Sequence, residues 1–260
     1  MVIKVSEQVW IYFVGAGPGD PELLTVKGKR LLQDADIVVY AGSLVADKLL
    51  TYCAEGVKIY NSASMNLSEI TEVMIEGARA CKLVVRLHTG DTAFYSAMRE
   101  QAAILEASDL AYSVVPGVSS ASGAAASIGR ELTVPGETQT VIFTRLAGRT
   151  PVPDKEALHL LASHQATMCL FLSVAMIDKV VPELERGGYA PHTPVAVVYR
   201  ATWPDEVKIK GTLADIGEKV HAAGITKHAM VLVGKATGGI GDGEQSLLYD
   251  AGFSHEYRGK

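Results

Sequence analysis

The sequence predicts an α/β protein of two domains, the first on a mainly parallel sheet and the second on a mixed one. Three observations carry this prediction. Short β-rich apolar runs alternate with longer segments of helical period, as in βαβ units. Past Pro116-Gly117 the composition changes to the small-residue stretch SSASGAAAS, and the breakers Pro135-Gly136 and Pro151-Val152-Pro153 follow. Further on, the strand candidates flanking Trp203-Pro204-Asp205 follow one another with no helix between them, which an all-parallel sheet does not allow.

In the first half the apolar runs place strands over 9–14, 37–40, 57–60, 83–87 and 112–115. Helices are expected between them over 25–33, 44–52, 68–80 and 93–106, each opened or preceded by Thr, Ser or Asp as a cap candidate. Ser68 with Glu72 makes an imperfect capping box, one position too long. In the second half strands are expected over 140–144, 168–172, 194–199, 207–210 and 229–233, and helices over 154–162, 175–186 and 212–222. The domain boundaries that follow are 1–117, a linker and junction helix over 118–136, a second domain over 137–236, and a Gly-rich polar tail over 237–260 expected to be flexible.

A chain of 260 residues with 48% hydrophobic side chains can bury one large core or two smaller ones. Lys and Arg number 24 against 29 Asp and Glu, a formal net charge of −5. That balance speaks against a broad basic face for nucleic acid; an anionic ligand has to be met by a local cluster of Arg. The three cysteines are odd in number and in no CxxC spacing, which favours a reducing compartment, and no apolar run is long enough for a membrane helix. A soluble, cytoplasmic protein is expected.

Three strand ends of the first half carry Gly with a small polar residue. The first strand runs into GAGPGDPELLT (15–25), where open α/β sheets place ligands. A dinucleotide fingerprint would need Gly at position 20, which is Asp, and Pro18 and Pro21 remove two amides; the alternative is a rigid turn. The fourth strand runs into HTGDTAFYSAMREQ (88–101). There Asp91 either accepts from a ligand or caps the helix expected from residue 93, and Glu100 either serves a substrate or faces solvent. The fifth runs into VVPGVSSASGAAAS (114–127), whose serines lack the glycine framing of a nucleophile elbow. Small side chains at three strand ends let backbone groups approach a planar ligand. Arg145 and Arg149 in TRLAGRTPVP (144–153) suit recognition of carboxylates through forked hydrogen bonds, or are surface arginines. The seven histidines fall in no HxH or HExxH grouping, so no metal site is expected.

Taken together these segments resemble the tetrapyrrole (corrin/porphyrin) methylase family over nearly the whole chain. YAGSLV (40–45), GDTAFYSAMREQ, PGVSSASGAAA and TRLAGRTPVP are similar in particular to its branch that methylates carbon 11 of precorrin-4. The resemblance implies the family's two-domain fold, with S-adenosylmethionine as cofactor in an inter-domain cleft, S-adenosylhomocysteine as product, no required metal, and a homodimer. Carried over residue by residue, it implies cofactor contacts at Pro18, Thr89, Gly90, Asp91, Phe94, Ser119, Ser120, Leu172, Ala201 and Ala229. The tetrapyrrole, an apolar disc fringed by carboxylates, is expected to meet Arg145, Arg149, Tyr95, Glu100 and Arg200. In uroporphyrinogen methylases an aspartate follows the tyrosine of the second strand; here Tyr40 is followed by Ala41-Gly42. That departure argues against uroporphyrinogen and leaves the catalytic base unassigned. The implied reaction belongs to cobalamin biosynthesis. The alternatives are methylation at another position of a precorrin or uroporphyrinogen, and a ligand-binding module without catalysis.

Overall fold

The computed structural model describes residues 9–239 and 252–254, so most of the expected tail over 237–260 lies outside the described residues. Five apolar runs become strands β1 (Ile11–Gly15), β2 (Ile37–Tyr40), β3 (Lys58–Asn61), β4 (Val84–His88) and β5 (Tyr112–Val115). They form a wholly parallel sheet in the order β3-β2-β4-β1-β5. Helices α1 (Val26–Asp34), α2 (Asp47–Leu50), α3 (Leu67–Arg79) and α4 (Met98–Ala107) supply the crossovers.

Both faces of the three central strands are covered, which is why β1, β2 and β4 read as nearly continuous apolar runs rather than alternating ones, while the edge strands β3 and β5 are partly exposed. Val14, Val38, Val85 and Leu87 pack with Leu32 of α1 and Leu49 of α2. The alternate residues Ile11, Phe13, Val39 and Val84 pack with Ile70 and Met74 of α3 and Leu105 of α4 on the other face.

Three details depart from the sequence reading. The helix over 44–52 shrinks to a 3-10 turn at Gly42–Leu44 and the short α2. The capping box of α3 is Asn66 with Glu69, not Ser68 with Glu72: Asn66 Oδ1 accepts from Glu69 N at 3.1 Å and Glu69 Oε2 accepts from Asn66 N at 2.7 Å. Finally, α4 starts five residues later than expected, at Met98.

The chain divides into two compact units. The first runs to Gly123 and takes in Thr202–Pro204; the second runs from Ala124 to Ala201 and resumes at Asp205. Helix α5 (Ser120–Ile128) contains the change from one to the other. The second unit carries β6 (Val141–Thr144), β7 (Thr167–Leu170), β8 (Pro194–Tyr199), β9 (Val207–Thr212) and β10 (Ala229–Val233), in the order β6-β7-β10-β8-β9. Only β6 and β7 are parallel; β10 runs antiparallel to β7 and β8, and β9 antiparallel to β8. Its core joins Met168, Leu170, Val195, Val197 and Val231 with side chains of α6 (Leu158–Ala162), α7 (Ile177–Arg186) and α8 (Ile216–Ala222). Among the described residues no helix is long and apolar enough to cross a membrane.

Candidate active site

Strand order decides where the first unit can bind anything. Because β1 sits between β4 and β5, the loops leaving these three strands emerge side by side at one edge, a switch point of the open sheet. Backbone hydrogen bonds tie the first two together: Ala16 N donates to His88 O at 2.7 Å, Gly17 N to Gly90 O at 3.1 Å, and Gly90 N to Gly17 O at 2.9 Å. Asp91 ties in the third, since its Oδ2 accepts from Gly117 N at 2.9 Å while its Oδ1 accepts from Ala93 N at 2.7 Å. Each such bond to a charged acceptor stabilises by about 1.5–3 kcal/mol. Thr89 Oγ1 reaches sideways and donates to Leu44 O at 2.8 Å, joining the loop after β2.

The glycines explain how three backbones come so close. A Cβ on Gly117 would stand 2.2 Å from Gly90 O and 2.8 Å from Gly15 Cα, and one on Gly15 would stand 2.6 Å from Gly117 N. Gly90 is glycine for a different reason, its φ of +61°; a Cβ there would make only ordinary contacts, 3.5 Å from Ser120 N and 3.9 Å from Val118 O. In the same loop Ser119 is buried at the start of α5, its Oγ accepting from Ala121 N at 3.3 Å.

Asp91 is therefore not the cap of α4. It closes a turn over Ala93–Ser96, in which Ser96 Oγ donates to Thr92 O at 2.6 Å, and Tyr95 and Ala97 both hold a φ of +54°. Left-handed backbone at non-glycine residues is costly and clusters at functional sites. This turn holds the Phe94 and Tyr95 rings exposed, at 38% and 48%. Glu100 follows in the first turn of α4, also exposed.

Below the second loop, β4 buries two basic residues that the sequence reading passed over, although a basic pair inside the apolar run VVRLH was there to be seen. Arg86 Nε donates to Gln101 Oε1 at 3.0 Å and its Nη1 to Val39 O at 3.1 Å, fastening β4 to α4 and β2. Burial lowers its guanidinium to about 10, leaving it cationic at neutral pH. His88, on the same face, is buried beside Phe13, and among the described residues its Nε2 has no hydrogen-bond partner. Desolvation first, and the Arg86 charge second, push its pKa down to about 3.

The second unit gathers its own set at one end of its sheet. Pairing of Thr144 with Leu170, Leu170 with Val231, and Tyr199 with Ala229 places Arg145, Leu172, Arg200, Ala201 and Ala229 at that end. Leu172, expected as the last strand residue, lies beyond β7 with a φ of +52° and 67% of its surface exposed. Arg200 also holds a positive φ and is ion-paired with Asp205. Arg145 turns back on its own loop, its Nη1 donating to Thr150 O at 3.1 Å and its Nη2 to Pro151 O at 2.6 Å. Arg149 is exposed in that same loop. Among the described residues no group of three His, Cys, Asp or Glu side chains is placed to hold a metal ion.

This combination of fold and loops recurs in known proteins. A family model described as Tetrapyrrole (Corrin/Porphyrin) Methylases matches residues 10–217. A cobalt-precorrin-4 C(11)-methyltransferase of Methanocaldococcus jannaschii is 53% identical over 248 residues, covering 95% of each chain. A solved structure of a cobalt precorrin-4 methyltransferase, CbiF, superposes with a TM-score of 0.86 at 47% identity, over 88% of this chain and 96% of the other. A uroporphyrin-III C-methyltransferase of Thermus thermophilus, solved with S-adenosylhomocysteine, gives a TM-score of 0.72 at 30% identity, over 87% and 92% of the two chains.

Proposed function

The chain belongs to the tetrapyrrole (corrin/porphyrin) methylases, and from that premise we propose that it is an S-adenosylmethionine-dependent methyltransferase acting on carbon 11 of precorrin-4 or cobalt-precorrin-4, in cobalamin biosynthesis. One observation carries the reading: the three Gly-bearing loops are bonded into one surface at the switch point of the first sheet, and a single carboxylate, Asp91, spans two of them.

That surface fits the donor. Beside Gly90 stand Ser120 N and Val118 O, a backbone donor and a backbone acceptor of the kind the methyl donor's polar groups call for. Pro18, Thr89, Gly90, Asp91, Phe94, Ser119 and Ser120 are assigned to it, together with Leu172, Ala201 and Ala229. When bound, S-adenosylmethionine supplies a methyl group already activated by its positive sulfur, so the chemistry calls for no Lewis acid. The chain's own task is then to orient the donor, keep water out and hold the ring carbon in line with the methyl group.

For the macrocycle, Tyr95 offers an exposed ring, and Arg145, Arg149 and Arg200 offer cations for its carboxylates. Arg145 already serves its own loop and Arg200 its ion pair, so exposed Arg149 is best placed for the outermost carboxylates. Glu100 is assigned to the substrate's rim. Unpaired cysteines at Cys53, Cys81 and Cys169 accord with a cytoplasmic protein, and we read it as a homodimer.

The test is a transfer assay with 13C-methyl-labelled S-adenosylmethionine and precorrin-4 or its cobalt form. The label is expected on carbon 11 by NMR. A label on another ring carbon points to a different precorrin activity, and binding of S-adenosylhomocysteine without any transfer points to a ligand-binding module.

A further inference from the structure

The first loop is held by a segment far away in sequence. Thr202–Pro204, which belongs to the first unit, lies against Pro18-Gly19-Asp20. The Trp203 indole N–H donates to Pro18 O at 2.8 Å, and Thr202 Oγ1 accepts from Asp20 N at 2.9 Å, so the groups on either side of Gly19 are both satisfied by this one dipeptide. The indole also occupies the space beside Gly19: a Cβ there would stand 2.0 Å from Trp203 Cδ1 and 2.3 Å from Nε1. Against the Pro18 ring lies Gly123 of α5, where a Cβ would stand 2.8 Å from both Pro18 Cβ and Cγ.

The support falls on the part of the loop that its own bonds leave loose. The loop's ends are fixed, by Gly17 to Gly90 on one side and by Asp20 Oδ1 accepting from Glu22 N on the other, but between them Pro18 has no amide hydrogen with which to hold the turn. Thr202 holds a φ of +69°, a conformation that a β-branched residue adopts only when its surroundings impose it. In that conformation its hydroxyl meets Asp20 N.

We propose that Trp203 and Thr202 are positioning residues for the methyl donor: they set where Pro18 and Gly19 stand, and thereby the affinity for the donor, without entering the chemistry. This rests on the donor-binding reading of the first loop. It adds two residues, and an explanation for Gly19, that the loop's own sequence does not contain.

The experiment measures S-adenosylhomocysteine affinity by calorimetry, with the melting temperature and the KM and kcat for S-adenosylmethionine alongside. Trp203→Phe keeps a ring over Gly19 and loses the N–H; the loop it frees must be re-ordered on binding, so S-adenosylhomocysteine is expected to weaken by up to roughly tenfold, raising KM while leaving kcat near wild type and lowering the melting temperature by only a few degrees. Thr202→Ser, which keeps the hydroxyl, should bind near normally, and Thr202→Val should not. Gly19→Ala should lose binding through its clash with the indole, and adding Trp203→Ala should restore part of it. Wild-type affinity in Trp203→Phe and Thr202→Val, or independent effects of Gly19→Ala and Trp203→Ala, would overturn the proposal while leaving the donor site intact. A melting temperature that falls with no change in affinity likewise reduces the pair to a structural role. A wild-type protein that binds no S-adenosylhomocysteine removes the functional reading and this inference with it.

Discussion

Gly117→Ala is expected to abolish S-adenosylhomocysteine binding and to lower the melting temperature by on the order of 10 °C, from an overpacking cost of about 3 kcal/mol. The added methyl group would sit 2.2 Å from Gly90 O and 2.8 Å from the Gly15 backbone, and none of these atoms belongs to a side chain that can turn away. Relief requires β1, β4 and β5 to spread at the edge where their loops meet, which breaks the bond from Gly117 N to Asp91. Gly90→Ala makes the sharper comparison. It meets nothing closer than 3.5 Å and carries only the cost of its left-handed backbone, about 1–2 kcal/mol. Thermal scans of both variants should therefore rank Gly117→Ala well below Gly90→Ala in stability. The opposite order would mean that the three loops are not packed backbone against backbone.

The second large effect is one of pH. His88 is buried and neutral, with its pKa pushed down to about 3, whereas in the unfolded chain it titrates near 6.5. Between those values the unfolded state binds a proton that the folded state does not, so stability falls as the pH is lowered through this window. The slope is about 1.4 kcal/mol per pH unit, and the whole window is worth on the order of 5 kcal/mol. Arg86 on the same face makes a second charge there still less welcome. Denaturant titrations from pH 7 down to 4 should show this loss in the wild-type protein and a much flatter profile in His88→Leu. Parallel profiles would place a proton acceptor beside Nε2 in the folded state.

Much of this molecule was legible before its structure. The runs that form β2, β5, β8 and β10 end where the sequence reading ends them; in β2, β8 and β10 this is because β-branched apolar segments buried on both faces have sharp limits, and in β5 because Pro116 stops the strand. The three Gly-bearing corners were legible as well, since glycine at a strand end announces a backbone that must pass close to something. The turn before α4 was not. Asp91 and Ser96 divert amides and carbonyls from a helix whose residues otherwise favour one, and the left-handed positions are Tyr95 and Ala97, which carry no turn signal. Leu172 hid in the same way, an apolar residue that looked like one more strand position. The Asn66 box was readable from Asn and Glu three apart, had Asn been weighed equally with Ser and Thr. Trp203 was beyond sequence reading altogether, because a partner 185 residues from Pro18 leaves no local pattern.

The central claim is that the loops after β1, β4 and β5 seat the methyl donor. Amide hydrogen exchange of the protein with and without saturating S-adenosylhomocysteine tests it most directly, because it reports which backbone groups the ligand covers. Slowed exchange is expected at Gly17 and Gly19, at Thr89–Asp91 and at Val118–Ser120, with β3 and α3 unchanged. Protection confined to other segments, with these three loops exchanging as before, would contradict the account.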